Sequence, residues 1–296
     1  MKTFAAALTL LALCALSVVG QGQTVDVNPQ PQSAGPVDAH AGRAAPISDA
    51  ATATCAVTFT SGVSDDFLKS CVTVNGNVAQ FEAPLGHEHI RHGIVGEGYG
   101  VCDVNTNTEY FDYSLFGDSP NWGAPTLGTQ TATSVKIART TIDGVWTLTQ
   151  TFTQVAGTSP LVKLTMSLRN NTAIDRTVFL MRYADVEPDH LFTSSMGATS
   201  NSAFAFNQTV VGNVGLRGNF GLILQGAALP QQHSPDLGPQ GFIEDNAFSD
   251  PPPPCTPYRN FVTGTPAESK GSLVVIYQLG VPARGAKAVT VTYKGL

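Results

Sequence analysis

Apolar and polar residues alternate most regularly along the stretch Ile142–Val186. In its first part, Trp146, Leu148 and Phe152 share one parity, which Gln150 interrupts, and threonines occupy the other. The same alternation runs through Val162–Arg169. A period of two places one set of side chains on a dry face of a strand and the other set on a wet face. This pattern therefore predicts two half-buried β-strands.

A third strand is predicted over Thr177–Val186, where both parities are apolar, so it should be covered on both faces. Short, turn-rich linkers join the three strands, which indicates a meander. The alternative is a helix over Leu161–Glu187, a segment without Gly or Pro. A helical stripe would exclude Val162 and Met166 and would place asparagines in a helix interior, so the alternation is the better template.

The pair Asn75-Gly76 lies between two short apolar runs, Cys71–Val74 and Asn77–Phe81. Asn-Gly is the dipeptide most typical of a tight β-hairpin turn. A different strand is predicted over Gly93–Cys102, where Gly96, Gly98 and Gly100 share one parity. A strand face without side chains allows a ring or another backbone to approach closely.

Further strands are expected after Thr131 and near the C-terminus, whereas 227–257 has the composition of a long loop. The predicted fold class is all-β, a large antiparallel β-sandwich with long loops and little helix. The rhythm of Ile142–Val186 resembles that of galactose-mutarotase-type supersandwich domains, in which strands of the kind Leu161–Asn170 end in an Asn-containing turn. The resemblance covers about 45 of the 296 residues and implies a supersandwich-like fold. It assigns no site residues.

Composition narrows the class of protein. Charged residues make up 13% of the chain, which is rich in Gly (29) and Pro (19). This mix is typical of a turn-rich extracellular β protein. The formal charge of −6 comes without a basic run, which argues against nucleic acid as a partner.

The N-terminus predicts export. Residues 1–20 have a positive start at Lys2 and an apolar run, as in a signal peptide. Residues 21–52 are poor in large apolar side chains and are expected to form a flexible leader. Residues 53–296 are expected to form one β-sandwich domain, with no membrane span.

Four cysteines remain after removal of the expected signal: Cys55, Cys71, Cys102 and Cys255. An even number in an exported chain favours two disulfides, and three pairings are possible. We prefer Cys55–Cys71, which closes a short loop, together with Cys102–Cys255, which would pin a tetraproline segment to the body.

Two groups of side chains could bind a metal ion. His87 and His89 share one face if their segment is extended, and Asp185, Glu187 and Asp189 follow the third central strand. Imidazoles suit a transition metal, and clustered carboxylates suit Ca²⁺. The alternatives are an exposed polar strand edge and an ordinary solvated turn. No other cofactor is expected.

An aromatic segment could bind a glycan by stacking, with Tyr110, Tyr113 and Trp122 as the platform and Asp118 bonding hydroxyls. The alternative is that these rings fill the end of the core. We expect Trp146 in the core and Trp122 outside it, because Trp122 lies between Pro120 and Gly123.

Two classes of function remain open. The first is a secreted, non-enzymatic protein, structural or glycan-binding, which low charge and missing nucleophile motifs favour. The second is a carbohydrate-active enzyme, an epimerase, lyase or hydrolase acting on an extracellular polysaccharide. The enzyme would require His87, His89, Asp185 and Glu187 to converge in one cleft. Oligomeric state is left open.

Overall fold

The computed structural model describes residues 55–90, 96–113, 117–118, 121–158, 160–190, 194–211, 216–230, 234–244, 254–255, 267–269 and 271–296. The expected signal peptide and leader lie outside these residues. Two short 3-10 turns, Ser64–Asp66 and Pro188–His190, accompany the strands. The strands in chain order are β1 (Cys55–Ser61), β2 (Leu68–Thr73), β3 (Val78–Glu82), β4 (Glu97–Asp103), β5 (Thr108–Tyr113), β6 (Gly117–Asp118), β7 (Thr126–Gln130), β8 (Ser134–Thr140), β9 (Trp146–Val155), β10 (Leu161–Asn170), β11 (Arg176–Asp185), β12 (Ser194–Ala198), β13 (Ser202–Val211), β14 (Leu216–Gly226), β15 (Leu237–Glu244), β16 (Ala267–Ser269), β17 (Ser272–Val281) and β18 (Ala286–Gly295).

These strands form three antiparallel sheets. The largest has the order β16-β12-β13-β14-β18-β10-β9-β8-β7, the second has β15-β17-β11-β4-β5-β6, and the smallest has β1-β2-β3. One continuous core contains side chains from all three sheets. The predicted fold class, a large antiparallel β-sandwich with little helix, is confirmed.

The core follows from the alternation in the sequence. Along β9 and β10 every second residue is buried, so both strands turn one face inward as predicted. Trp146 is fully buried, which confirms its expected place in the core. β11 is buried on both faces, as its doubly apolar pattern predicts. Its outward residues Met181 and Tyr183 belong to a second, smaller cluster.

The predicted meander is wrong at its third strand. β9 and β10 pair with each other, but β11 pairs with β17 and β4 in the opposite sheet. The side chain of Asn170 ties the turn after β10 to the opposite sheet, because its amide donates to the carbonyls of Ile174 (2.7 Å) and of Val281 in β17 (3.2 Å). Its oxygen accepts from the Thr172 amide. The turn after β10 is therefore a corner between sheets.

The predicted Asn-Gly hairpin is confirmed between β2 and β3, with Gly76 in the left-handed region at φ +85°. The close approach predicted for the glycine strand is confirmed as well. A Cβ on Gly98 would lie 2.6 Å from the Tyr113 ring, and one on Gly100 would lie 2.6 Å from Pro254.

Both preferred disulfides are present. Cys55–Cys71 links β1 to β2, and Cys102–Cys255 joins residues 153 positions apart. Within the segment predicted as a long loop, 227–257, the structure has β15, which corrects that prediction. β15 pairs with β17 at the edge of the six-stranded sheet, so partner strands rather than local composition decide its conformation. Among the described residues, no helix has the length and apolar character needed to cross a membrane.

Candidate functional site: a His–Asp pair between two segments

The segment His87–Ile90 lies alongside the end of β11. An isolated bridge joins Ile90 to Val186, the Glu187 amide donates to the His89 carbonyl (3.1 Å), and the Asp189 amide donates to the Glu88 carbonyl (2.8 Å). Two stretches that are about a hundred residues apart in the chain are thus held side by side through their backbones.

This pairing brings His87 and Asp189 into contact, with 2.8 Å between Nδ1 and Oδ1. Both side chains remain partly accessible, at 26% and 22%. Asp189 has a left-handed backbone (φ 58°, ψ 28°), which is uncommon for a residue other than glycine. The His87 ring stacks on Phe220 of β14, with ring centroids 3.6 Å apart. The imidazole is therefore fixed on one face by Phe220 and at Nδ1 by the carboxylate.

The two residues after His87 point into the protein and anchor the segment. Glu88 accepts hydrogen bonds from the amides of Phe81 (2.8 Å) and Ile90 (3.0 Å), and burial raises the pKa of its carboxyl to about 7. The His89 Nε2 lies 2.7 Å from the Ala83 carbonyl oxygen, and burial lowers the pKa of that imidazole to about 4. His89 is thus neutral at pH 7, and its hydrogen bond to a carbonyl requires Nε2–H.

Of the residues predicted to bind a metal ion, the structure brings the side chains of His87 and Asp189 into contact with each other. Of the four groups that the enzyme hypothesis required to converge, His89, Asp185 and Glu187 are buried, and His89 binds a carbonyl. Only His87 is partly accessible, and it contacts Asp189 instead. Within the described part of the chain, no three His, Cys, Asp or Glu side chains are grouped so that they could hold a metal ion. The predicted metal site remains a prediction.

The aromatic platform is corrected by the structure. Trp122 is 4% exposed, and Tyr110 and Tyr113 are also buried, so their ring faces are not open to a sugar. Trp122 contacts Tyr99 and Tyr110 edge-on, and the Arg139 guanidinium lies over its ring. The expectation that Trp122 is outside the core is wrong.

A backbone contact gives the physical reason. Trp122 forms an isolated β-bridge with Thr141, and the Gly123 amide donates to the Thr140 carbonyl. The turn that contains Trp122 is therefore packed on the end of β8. The backbone of Asp118 pairs with that of Asp112 in β5–β6.

Sequence reasoning missed a buried ionic cluster at the place where the three sheets meet. Arg182 of β11 pairs with Glu97 of β4, and its Nη1 donates to the Gln150 side chain of β9 (2.6 Å). Its Nη2 donates to the Gly76 carbonyl of the hairpin turn (2.9 Å), and Tyr293 of β18 contacts both charged groups. The sequence does carry one signal of this cluster. Arg182 is a charged residue inside β11, a strand that is apolar on both parities.

Comparisons with known proteins indicate no family. No protein-family model matches the chain, and no curated protein matches its sequence. A provisionally described aldose 1-epimerase from Escherichia coli K12 is 12% identical, with a TM-score of 0.44 over 81% of this chain and 99% of its own. A galactose mutarotase related enzyme from Lactobacillus acidophilus is 4% identical, with a TM-score of 0.41 over 81% and 97%. A provisionally described kojibiose phosphorylase from the human microbiome is 8% identical, with a TM-score of 0.40 over 79% and 29%. Likeness this low transfers no residue roles.

Proposed function

We propose that this protein is an exported carbohydrate-active enzyme in which His87, oriented by Asp189, transfers a proton to or from a sugar hydroxyl. The observation that carries the proposal is the contact between His87 Nδ1 and Asp189 Oδ1 at 2.8 Å, in a pair that remains partly accessible. Export is supported by the signal-like N-terminus and by two disulfides, which are typical of oxidising compartments.

The chemistry of the pair supports general acid–base catalysis. An ionised carboxylate can only accept hydrogen bonds, so the neutral imidazole must carry its proton on Nδ1. The lone pair of Nε2 then remains available to accept a proton from a substrate hydroxyl. The imidazolium that forms is stabilised by the Asp189 carboxylate, and the proton can return to the substrate in the next step.

The non-enzymatic interpretation, which low charge and missing nucleophile motifs favour, loses one support, the open aromatic platform. Glycan binding by stacking depended on an exposed Trp122, and that ring is buried. The saccharide class of the substrate rests on the resemblance of the central strands to galactose-mutarotase-type supersandwich domains. An epimerase, a lyase and a hydrolase all require proton transfer at a sugar carbon or oxygen.

The test is an activity screen of the purified protein followed by two substitutions. Mutarotation of reducing sugars is followed by polarimetry, and polysaccharide cleavage is followed by released reducing ends and unsaturated products. We expect His87→Ala to lower kcat by about 10²–10⁴-fold, the range typical of a general acid or base. Asp189→Asn should lower kcat as well, because it removes the charge while asparagine tolerates the left-handed backbone.

Asp65→Asn, which changes an exposed carboxylate, is the control and should retain wild-type turnover. The proposal fails if the wild-type protein converts none of the saccharides. It also fails if His87→Ala, shown to be folded, retains the wild-type kcat.

A further inference from the structure

The register of β13 and β14 places a polar side chain beside the His87–Asp189 pair. Asn207 of β13 is directly opposite Phe220 of β14. Directly opposed residues of an antiparallel pair project from the same face, with Cβ atoms about 4.5–5.5 Å apart. The Asn207 amide therefore lies next to the ring on which His87 stacks.

This face is the inner face of the nine-stranded sheet. Ala203 and Ala205 have the parity of Asn207, Leu222 and Leu224 have the parity of Phe220, and all four are fully buried. Asn207 and Phe220 are less completely buried than these four residues. The inner face is therefore apolar and fully buried at those four positions, and it is polar and partly accessible at the candidate site.

A second contact joins these strands to the site. The 3-10 turn Pro188–His190, which contains Asp189, packs against both β13 and β14. His87, Asp189, Phe220 and Asn207 are therefore gathered at one end of the inner face. An amide there offers two donors and one acceptor to a ligand.

We infer that Asn207 is a substrate-binding residue of this site, hydrogen-bonding hydroxyl groups of a neutral saccharide; the inference rests on the proposed function. A sugar hydroxyl both donates and accepts, and an uncharged amide can match it in either sense. His87 moves the proton, and Asn207 holds the ring that carries the reacting hydroxyl. Loss of Asn207 should therefore weaken binding more than it slows the chemical step.

The test separates binding from turnover. Wild type, Asn207→Ala and His87→Ala are made in a host without N-glycosylation, because Asn207-Gln208-Thr209 is a formal sequon. Binding of D-glucose, D-galactose and lactose is measured by saturation-transfer NMR, and KM and kcat are measured on the saccharide that wild type converts best. We expect Asn207→Ala to weaken binding and raise KM about tenfold, with kcat within about threefold of wild type.

Gln225→Ala is the matched control, because it removes an exposed side-chain amide from the outer face of the same hairpin. It should leave binding and KM unchanged, whereas His87→Ala should lower kcat by a larger factor than it weakens binding. If Asn207→Ala does not fold, Asn207→Asp retains the shape but lacks the two donors.

The inference is overturned if the folded Asn207 variant binds as wild type, or if wild type binds none of the three sugars. Binding without turnover in wild type would overturn the proposed function and leave the role of Asn207 standing.

Discussion

The pKa values of two adjacent residues, Glu88 and His89, are shifted in opposite directions by the same cause. Burial disfavours the charged form of each, so the pKa of the acid rises to about 7 and the pKa of the base falls to about 4. Both are therefore biased toward neutrality beneath the partly accessible His87. A segment that contains three ionisable side chains can in this way be packed against the core without an internal ion pair.

These two pKa shifts predict how the stability of the folded protein changes with pH. Between pH 4.5 and about 7 the native Glu88 holds a proton that the unfolded chain releases, so its contribution to stability is lost as pH rises through this window. His89 acts in the opposite sense, since its contribution is lost as pH falls from 6.5 to about 4. The two effects oppose each other below pH 6.5, so each must be isolated by substitution.

Glu88→Gln imitates the protonated acid and should isolate its effect. The free energy of unfolding, measured in urea, should fall for wild type relative to Glu88→Gln between pH 5 and pH 8. One pKa unit corresponds to about 1.4 kcal/mol, so the relative loss should be up to about 3 kcal/mol. Asp65→Asn controls for removal of an exposed carboxylate. A constant difference between wild type and Glu88→Gln across this range would show that the native carboxyl is already ionised at pH 5.

The place of individual side chains was the least predictable from sequence. Trp146 was placed in the core correctly, because it shares the inward parity of its strand with Leu148 and Phe152. Trp122 was not, since its burial depends on docking of a turn onto β8, a contact between segments that no local pattern records. Arg182 shows the same limit, because its partners Glu97, Gln150 and Gly76 come from three distant parts of the chain.

At the scale of the element, periodicity predicted strands well and sheets poorly. β9, β10 and β11 are where alternation places them, and the Asn-Gly turn joins β2 to β3. The partner sheet of β11 could not be derived, since a strand buried on both faces looks the same in either sheet. The approach of the segment around His87 to the end of β11 could not be derived either. Both depend on tertiary pairing, which leaves no periodic signature.

The hairpin turn between β2 and β3 is predicted to be intolerant of a side chain. A Cβ on Gly76 would lie 2.3 Å from the Gln150 Nε2, and the residue has φ +85°. Gly144 also has a positive φ, of +72°, but a Cβ there would meet nothing within 4 Å. Gly144→Ala should therefore lose only about 1–2 kcal/mol of backbone energy. Gly76→Ala should lose more, since it also disturbs the hydrogen bonds that Gln150 and Arg182 make with the turn. Equal losses in urea unfolding would show that the turn is not tightly packed on the ionic cluster.

At the scale of the whole molecule, the ionic cluster and the disulfides join parts that sequence separates. Arg182 receives contacts from strands of both large sheets and from the hairpin of the small sheet. A buried ion pair is weak evidence for net stability, but removing one partner leaves an unpaired charge that is costly. The cluster therefore favours one mutual arrangement of the sheets. Cys102–Cys255 adds a covalent link between β4 and the segment that ends the tetraproline run.

The two disulfides should differ in what they contribute to stability. In the chain-entropy account a crosslink stabilises by restricting the unfolded chain, and the effect grows with the length of the loop that it closes. Cys55–Cys71 spans 16 positions and should contribute about 3 kcal/mol, whereas Cys102–Cys255 spans 153 and should contribute about 2 kcal/mol more. Replacing each pair by alanines is a matched comparison, because each pair joins one buried and one more accessible cysteine. Urea unfolding of the two variants gives the difference in the free energy of unfolding.

Thiol titration of the unfolded, unreduced wild type should first find essentially no free thiol, and two or more free thiols per chain would contradict the pairing. If the Cys55/Cys71 variant is the less stable one, then local packing of β1 on β2, and not chain entropy, is the main contribution of these crosslinks.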